Sequence, residues 1–553
     1  MEAQAQLAPY SYHTFLFPFL IQTNKQFLHL EHWKPEDNFE ATFSELRQEE
    51  LYWRYAAFEY FTETARKILF GRGTDRFPVR RYHFAPNQEE LRGKLSYIIE
   101  KDGKPFTLIV NGIQLLLFGD DMGLLTFELE NSDPNQSNLD AVNCINEYGR
   151  RVNLAYLCKR DTETGKISHP ISADRVTLKT EGKAKQDYTY DPIAFLERLE
   201  DAFDASGDPK NQKDIKQLEL RYTAPHVRDI LSYPDPRGIE PKDISPLIDD
   251  RMFVCCIVCD PALGSECAQY DRIGAPCLQA ELHPSYEQGI YRYLTSCDNA
   301  DDANNTSSKL YRLLFVETST SCRSRTMRRK LLERCVYDRW IDYGTLHGVS
   351  HHAMICVTGD PGKYPSIQAS VINPFLTIYT EIAKIVLLQR ACVLSISDRV
   401  SFLAQQFYAE SQDKHDSLDR IQDIQERFVQ LQSSLFLSEI TTAEQGIELY
   451  EMLENELYVT ENAKKLDAQL HNLYELANLQ SDKDERERDR KLNVAVALFA
   501  IPALLLALWQ CVSPFMMENY LCAAWGIHWV SIALTTICVI ALPIAVFAKR
   551  RRR

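Results

Sequence analysis

The sequence predicts an α/β N-terminal domain, then a long α-helical stalk, then two C-terminal transmembrane helices. Three observations carry that expectation. Short β-branched and aromatic runs alternate with helix-like stretches up to about residue 365. Between 375 and 501 there is no proline and one glycine, Gly446, so no strong breaker interrupts a helix. Near the C-terminal end stand two uncharged apolar runs, 492–512 and 529–548.

In the N-terminal part, TLIVNGIQLLLFGDDMGLLTFELE reads as two strands joined by a Gly-Asp-Asp turn. RMFVCCIVCD, YRLLFVET and HHAMICVTG read as buried strands. FSELRQEELYWRYAAFEYFTETARKIL and SRTMRRKLLERCVYDRWID read as helices, and SCDNADDANNTSSK as a polar surface loop. The 553 residues exceed one ordinary core. A charged fraction of 25% and a hydrophobic fraction of 45% belong to a folded protein. The formal net charge of −15 argues against a general nucleic-acid binder, while leaving room for a local basic pocket. Fifteen cysteines, with no framework spacing, read as reduced thiols of a cytosolic domain. The start, MEAQAQLAPYSYHTFLFPFL, has no positive segment before its apolar residues and contains two prolines, so it does not read as a signal peptide.

In the stalk, FLTIYTEIAKIVLLQRACVLSISDRVSFLAQQF is apolar on most faces and should pack on the N-terminal domain. AESQDKHDS is a polar join. Val459, Ala463, Leu466, Leu470, Leu473 and Ala477 then alternate by four and three, the spacing of a helix–helix seam. SDKDERERDRK carries acid-then-base pairs at i,i+4: Asp482–Arg486, Asp484–Arg488 and Glu487–Lys491.

Each apolar run meets the length of about 20 residues needed to cross the hydrocarbon layer. Arg486, Arg488, Arg490 and Lys491 precede the first, 549–553 is basic, and the connecting segment has neither Lys nor Arg. That asymmetry places both termini in the cytosol. The expected division is 1–365 ligand-sensing domain, 366–491 stalk, 492–512 first membrane helix, 513–528 outer loop, 529–548 second membrane helix and 549–553 basic tail.

No catalytic motif stands out, and an enzyme is not expected. Cys256 and Cys259 have the gap of a zinc pair but lack a second pair at a useful distance. His347, His351 and His352 lack a carboxylate that would complete a ligand set, so no metal site is expected. Gly359 to Lys363 departs from a phosphate loop, with two residues between its glycines and Tyr364 after the lysine. Arg150 and Arg151 suit a phosphate, because a guanidinium presents a planar fork of donors. Asn153 stands beside them, and Arg323, Arg325, Arg328 and Arg329 form a second cluster.

The junction NLYELANLQSDKDERERDRKLNVAVALFAIP resembles that of the CorA/ZntB family of divalent-cation transporters. That family's Gly-Met-Asn marker follows its Ile-Pro by eight residues; here the place is taken by Cys511-Val512-Ser513. YSYHTFLFPF, GRRVNLAY, YGTLHGVSHHAMICVTG and TIYTEIAKIVLLQRACVLSISDRV further resemble the divergent CorA-like effectors associated with type III CRISPR systems. The resemblance implies a CorA-like fold and a multi-pass homo-oligomer, a pentamer, in the bacterial inner membrane. It implies a channel of antiviral defence opened by a nucleotide second messenger, S-adenosylmethionine joined to AMP, with no covalent cofactor. Arg150, Arg151 and Asn153 would hold the ligand. Asn493, Gln510, Ser513 and Asn519 would line a poorly selective pore. The alternatives are a divalent-cation (Mg²⁺ or Zn²⁺) transporter with a degenerate filter, and a membrane-anchored scaffold.

Overall fold

The computed structural model describes residues 9–21, 30–36, 49–70, 79–84, 95–119, 121–152, 159–160, 167–168, 172–180, 187–191, 224–231, 244–260, 262–263, 306–318, 322–409, 414–437 and 439–517. The chain divides into two compact units, Met1–Arg399 with Glu426–Asp467, and Val400–Gln425 with Ala468–Arg553.

Among the described residues, the first unit is built on a mixed sheet of 13 strands. In chain order the strands are β1 (Ser11–Ile21), β2 (Trp33–Pro35), β3 (Val79–Phe84), β4 (Leu95–Lys101), β5 (Lys104–Phe118) and β6 (Met122–Asn131). A separate pair follows, β7 (Lys159–Arg160) and β8 (Ile167–Ser168). The sheet resumes with β9 (Arg175–Thr180), β10 (Asp187–Tyr190), β11 (Ile244–Pro246), β12 (Phe253–Cys259), β13 (Val336–Tyr337), β14 (Leu346–Val349) and β15 (Ala353–Thr358). The spatial order is β10-β9-β4-β5-β6-β1-β12-β15-β14-β13, with β2 and β3 joined through β5 and β11 beside β1. β12 and β15 pair in parallel.

Strand β1 explains its own sequence. Phe15, Phe17 and Phe19 enter one core, and Tyr12 and Leu16 the other. A strand buried on both faces has no polar face to alternate, so it reads as a continuous apolar run. β12 repeats the pattern. Cys256 enters the first core and Cys259 the second, so the two thiols point apart and cannot converge on one ion. Burial pushes both thiols up to about 12. The β5–β6 hairpin turns through Gly119 at φ +57°, where a side chain would be strained.

The helices are α1 (Glu49–Tyr60), α2 (Glu63–Leu69), α3 (Leu139–Gly149), α4 (Pro225–Leu231), α5 (Thr306–Phe315), α6 (Arg325–Cys335), α7 (Thr380–Ala409), α8 (Lys414–Leu435), α9 (Glu444–Glu456) and α10 (Val459–Met517). Side chains of α3, α4 and α5 fill the core on one face of the sheet; those of α1, α2, α7 and α9 fill the other. One expected strand is a helix. YRLLFVET contributes to α5, where Leu310, Tyr311, Leu313 and Leu314 are buried at helical spacing. That period outweighs the local β-propensity. The expected polar loop lies outside the described residues at 296–305, and 306–309 open α5.

Two π-helical turns, Gln368–Ile372 and Phe375–Tyr379, lead into α7. At its start, Glu381 accepts from Arg81 at 2.7 and 2.9 Å and from Lys384 at 2.7 Å, all buried. Lys384 also donates to Gln114 at 2.8 Å, so the charge network ties β3 and β5 to α7. Of the expected polar join, Ala409 closes α7, 414–417 open α8, and 410–413 lie outside the described residues. Tyr458, at φ +53°, separates α9 from α10. The seam residues Val459, Ala463, Leu466, Leu470, Leu473 and Ala477 are all buried. Further along α10, Lys491 meets Glu487 at 3.2 Å.

Among the described residues, one helix is long and apolar enough to cross a membrane by length and composition: Gln368–Gln406, with a mean hydropathy of 1.5. Its most apolar stretch is 72% buried, so it serves as a core helix of the first unit. The second apolar run, 529–548, lies outside the described residues.

Candidate anion-binding site

Arg150 caps the C-terminal end of α3. Asn138 caps the other end, accepting from the Ala141 N–H at 2.9 Å. At Gly149 the chain runs close to the sheet: a Cβ there would stand 2.6 Å from Ile99 Cδ1. The next three residues are fixed by backbone bonds. Met252 N–H donates to the Arg150 carbonyl at 2.7 Å, and Val152 N–H to the Asp250 carbonyl at 2.9 Å. Val254 N–H donates to the His352 carbonyl at 3.0 Å, which brings the β14–β15 turn alongside.

These segments meet at a gap in the sheet. β1 pairs with β12 over 11–16 and with β11 over 19–21. Pro18 stands between: its carbonyl accepts from the Leu247 N–H at 3.1 Å, but it has no N–H to return, and the ladder ends there. The chain beyond Leu247 walls a pocket of about 60 Å³. Pro18, Arg150, Asp249 and Arg251 line it, with His351 and His352 from the β14–β15 turn and Leu387 and Arg390 from α7.

The pocket is short of negative charge. Arg251 donates to Asp249 at 2.5 and 2.7 Å, so that pair is satisfied. Burial acts upward on Asp249, but hydrogen bonds from Asp250 and Arg251 outweigh it and hold the carboxyl at about 2. Glu147 accepts from Arg151 at 2.5 Å and lies 3.8 Å from Arg150. Arg150 is 2% exposed, and its Nε and Nη1 have no hydrogen-bond partner. Burial pushes its guanidinium down to about 10, with Glu147 acting in the opposite direction. Arg390 Nε is likewise unpartnered, and burial lowers its pKa. His352 is pushed down to about 3 by burial and then by Arg150 and Arg251. His351 is lowered by burial and by Arg390 and Arg334. Buried guanidinium nitrogens without hydrogen-bond partners are costly, and an anion beside them would offset that cost.

Of the residues expected to bind a ligand, Arg150 reaches this pocket. Arg151 is engaged with Glu147 instead, and Asn153 lies outside the described residues. The second arginine cluster does not line it. Arg323 and Arg325 are exposed, Arg328 donates to the Cys322 carbonyl at 3.1 Å, and Arg329 pairs with Glu333 at 2.7 Å. Arg251, Arg390 and Asp249 were not singled out by sequence. A lone arginine in the apolar run LLQRAC was the available signal. Of the expected pore residues, Asn493 is exposed on α10, Gln510 and Ser513 fall within α10, and Asn519 lies outside the described residues.

His347 is buried with both ring nitrogens unpartnered, beside Tyr337, Phe375 and Tyr379, and burial pushes it down to about 4. Among the described residues, no group of three or more His, Cys, Asp or Glu could hold a metal ion. At the phosphate-loop-like segment, Gly362 N–H donates to Asp360 Oδ1 at 2.8 Å and Tyr364 N–H to the Asp360 carbonyl at 3.0 Å, closing a turn. A larger cleft of about 680 Å³ lies at α1 and α2, but its charges are internally matched: Arg66 with Glu59, and Lys67 with Glu63.

No protein-family model matches the chain, and no curated protein or solved structure is significantly similar to it.

Proposed function

We propose that this protein is a ligand-gated membrane effector, switched by an anionic nucleotide bound in its sheet domain. The observation that carries the reading is Arg150: a guanidinium buried at 2% exposure, with two nitrogens unpartnered, lining a pocket beside Arg251 and Arg390. The membrane part of the reading is supported by α10. Leu492, Val494, Val496, Phe499, Ile501, Leu504, Leu505 and Leu508 are each between 53% and 65% exposed, an apolar surface that water does not favour. Taken with the sequence resemblance, the reading extends to a homopentamer of a bacterial inner membrane in type III CRISPR defence. Its messenger would be S-adenosylmethionine joined to AMP, and its pore poorly selective.

A route from ligand to helix follows from the pocket's neighbours. The His351 ring packs edge-on against the Tyr458 ring at 5.0 Å. Tyr458 holds a left-handed backbone directly before α10. Arg334 and Glu456 pair at 2.7 Å at the same join. An anion that draws Arg390 and Arg150 inward changes the surroundings of His351, and so the contact that supports Tyr458. Such a ligand shifts the equilibrium only by its differential affinity for the two conformations.

Binding of the messenger to purified protein, followed by calorimetry, tests the site. Arg150→Ala combined with Arg390→Ala should weaken it by about 100-fold or more, since hydrogen bonds to charged groups are each worth about 1.5–3 kcal/mol. Unchanged affinity would remove the pocket from the account. Mg²⁺ flux without any nucleotide would favour the transporter alternative.

A further inference from the structure

Two kinds of nitrogen side chain line the pocket at Arg150, and only one kind changes charge near neutral pH. Arg150, Arg251 and Arg390 stand around it with Asp249, and the β14–β15 turn adds His351 and His352. Bonds on both sides hold that turn in place. Ser350 Oγ accepts from the His352 N–H at 3.2 Å and the Ala353 N–H at 3.1 Å, and donates to the Leu314 carbonyl at 2.7 Å. The His352 carbonyl accepts from the Val254 N–H at 3.0 Å. The two rings are thereby kept at the pocket wall.

The remaining charges there are fixed. Asp249 is held at about 2 and Arg150 at about 10. Arg251 is raised where its bonds to Asp249 outweigh burial, and Arg390, lowered by burial, stays a guanidinium. Glu147, 3.8 Å from Arg150, and Asp250, 3.8 Å from Arg251, stand near but do not line the pocket. Histidine alone among these lining groups can titrate between about pH 8 and 6. Burial, then Arg150 and Arg251, pushes His352 down to about 3 against the pull of Asp249. Burial also lowers His351, with Arg390 and Arg334 adding to it.

We propose that an anion enters this pocket together with a proton, which His352 takes up, so that pH regulates the site. The inference rests on the anion-site reading above. The guanidinium groups that repel a proton from His352 are those an anion would sit against. Its charge cancels their field and offers the imidazolium an acceptor. One unit charge about 4 Å away moves a titration by roughly three pH units at an effective dielectric of about 20. Two such charges, as on sulfate, move it by roughly six, which carries His352 from about 3 past neutrality. His351 gains less. Arg334 pairs with Glu456 at 2.7 Å away from the pocket, so the anion offsets Arg390 alone. The His351 ring also lies 6.5 Å from that of His352, where a new positive charge opposes a second one. The anion-bound form then holds one more proton than the free form, and affinity rises as pH falls through the bound-state value.

Sulfate is the probe, because it stays divalent over a range in which a phosphate monoester titrates. The full chain in detergent is titrated calorimetrically with sulfate at about pH 8, 7 and 6, in two cationic buffers of different ionisation enthalpy. Affinity should rise about tenfold from pH 7 to 6, the limit for one proton, and the buffer dependence should show about one proton taken up. His352→Gln keeps an N–H donor but cannot take the proton, so the same step should change its affinity less than about twofold. His352→Asn serves if the glutamine variant does not fold. His351→Phe keeps a ring against Tyr458, which His351 meets at 5.0 Å, and should retain the slope. Equal affinity at all three pH values in the natural protein, or a tenfold slope that persists without His352, overturns the proton coupling alone. Failure of sulfate to bind at any pH overturns the anion site with it.

Discussion

Helix α7 and the C-terminal part of α10 draw on the same residues, chiefly leucine, isoleucine, valine and alanine, and meet opposite surroundings. In α7, Ile382, Ala383, Ile385, Val386, Leu387 and Leu388 are at most 1% exposed. From Leu492 to Leu508 in α10, every large apolar residue named above is more than half exposed. Length and hydropathy therefore do not decide whether a helix is buried in a core. The two stretches also differ in charge. α7 carries Glu381, Lys384 and Arg390 among its charges: the first two are bonded within the fold, and the third lines the pocket at Arg150. The stretch 492–517 carries no Asp, Glu, Lys, Arg or His at all, so a lipid environment asks nothing of it that it cannot meet.

The same substitution placed in each helix gives the sharpest contrast. Val386→Asp buries an unpaired carboxylate and should cost about 4–5 kcal/mol, enough to unfold the sheet domain. Leu505→Asp should leave that domain's unfolding within about 0.5 kcal/mol of the parent. It should instead weaken insertion by about 3 kcal/mol, read by flotation with liposomes. Similar unfolding losses from both would erase the distinction between the helices.

Glu381→Ala comes next. It leaves Lys384 in the core with no carboxylate and Arg81 with Glu36 alone, and should cost about 3 kcal/mol in a denaturant titration. A loss below about 1 kcal/mol would show that the network does not hold α7 to the sheet. Acid acts on several buried groups at once. His13, His226 and His347 are buried and held neutral at about 4, 3 and 4. Their unfolded forms take up protons below about 6.5, so stability falls as pH drops from there toward 4. The slope is on the order of 1 kcal/mol per pH unit for each ring. Glu381, held below the ordinary carboxylate range where its ion pairs outweigh burial, extends the loss below about 4.3. Membrane retention through α10 should not change over the same range. Flat stability between pH 7 and 5 would contradict the buried neutral rings.

Much of the fold was legible in the chain. The double-sided burial of β1 and β12 was written in their unbroken apolar runs, and the β5–β6 turn in Gly119. The helix seam was legible in the four-three spacing from Val459 to Ala477. YRLLFVET misled because its aromatic and leucine content suits a strand, while its spacing suits a helix. The site was half legible. Paired arginines drew attention to Arg150, but adjacent residues on a helix end diverge, and Arg151 turned to Glu147. Arg251 and Arg390 come from segments 101 and 240 positions away by difference of residue number, a convergence that no local pattern contains.

The most direct measurement is release of a trapped dye from liposomes carrying the purified full-length protein, on adding S-adenosylmethionine–AMP conjugate. The account predicts rapid release by the natural protein, and none by the variant with Arg150→Ala and Arg390→Ala. Release that is equally fast without the conjugate, or no release although the conjugate binds, would contradict it.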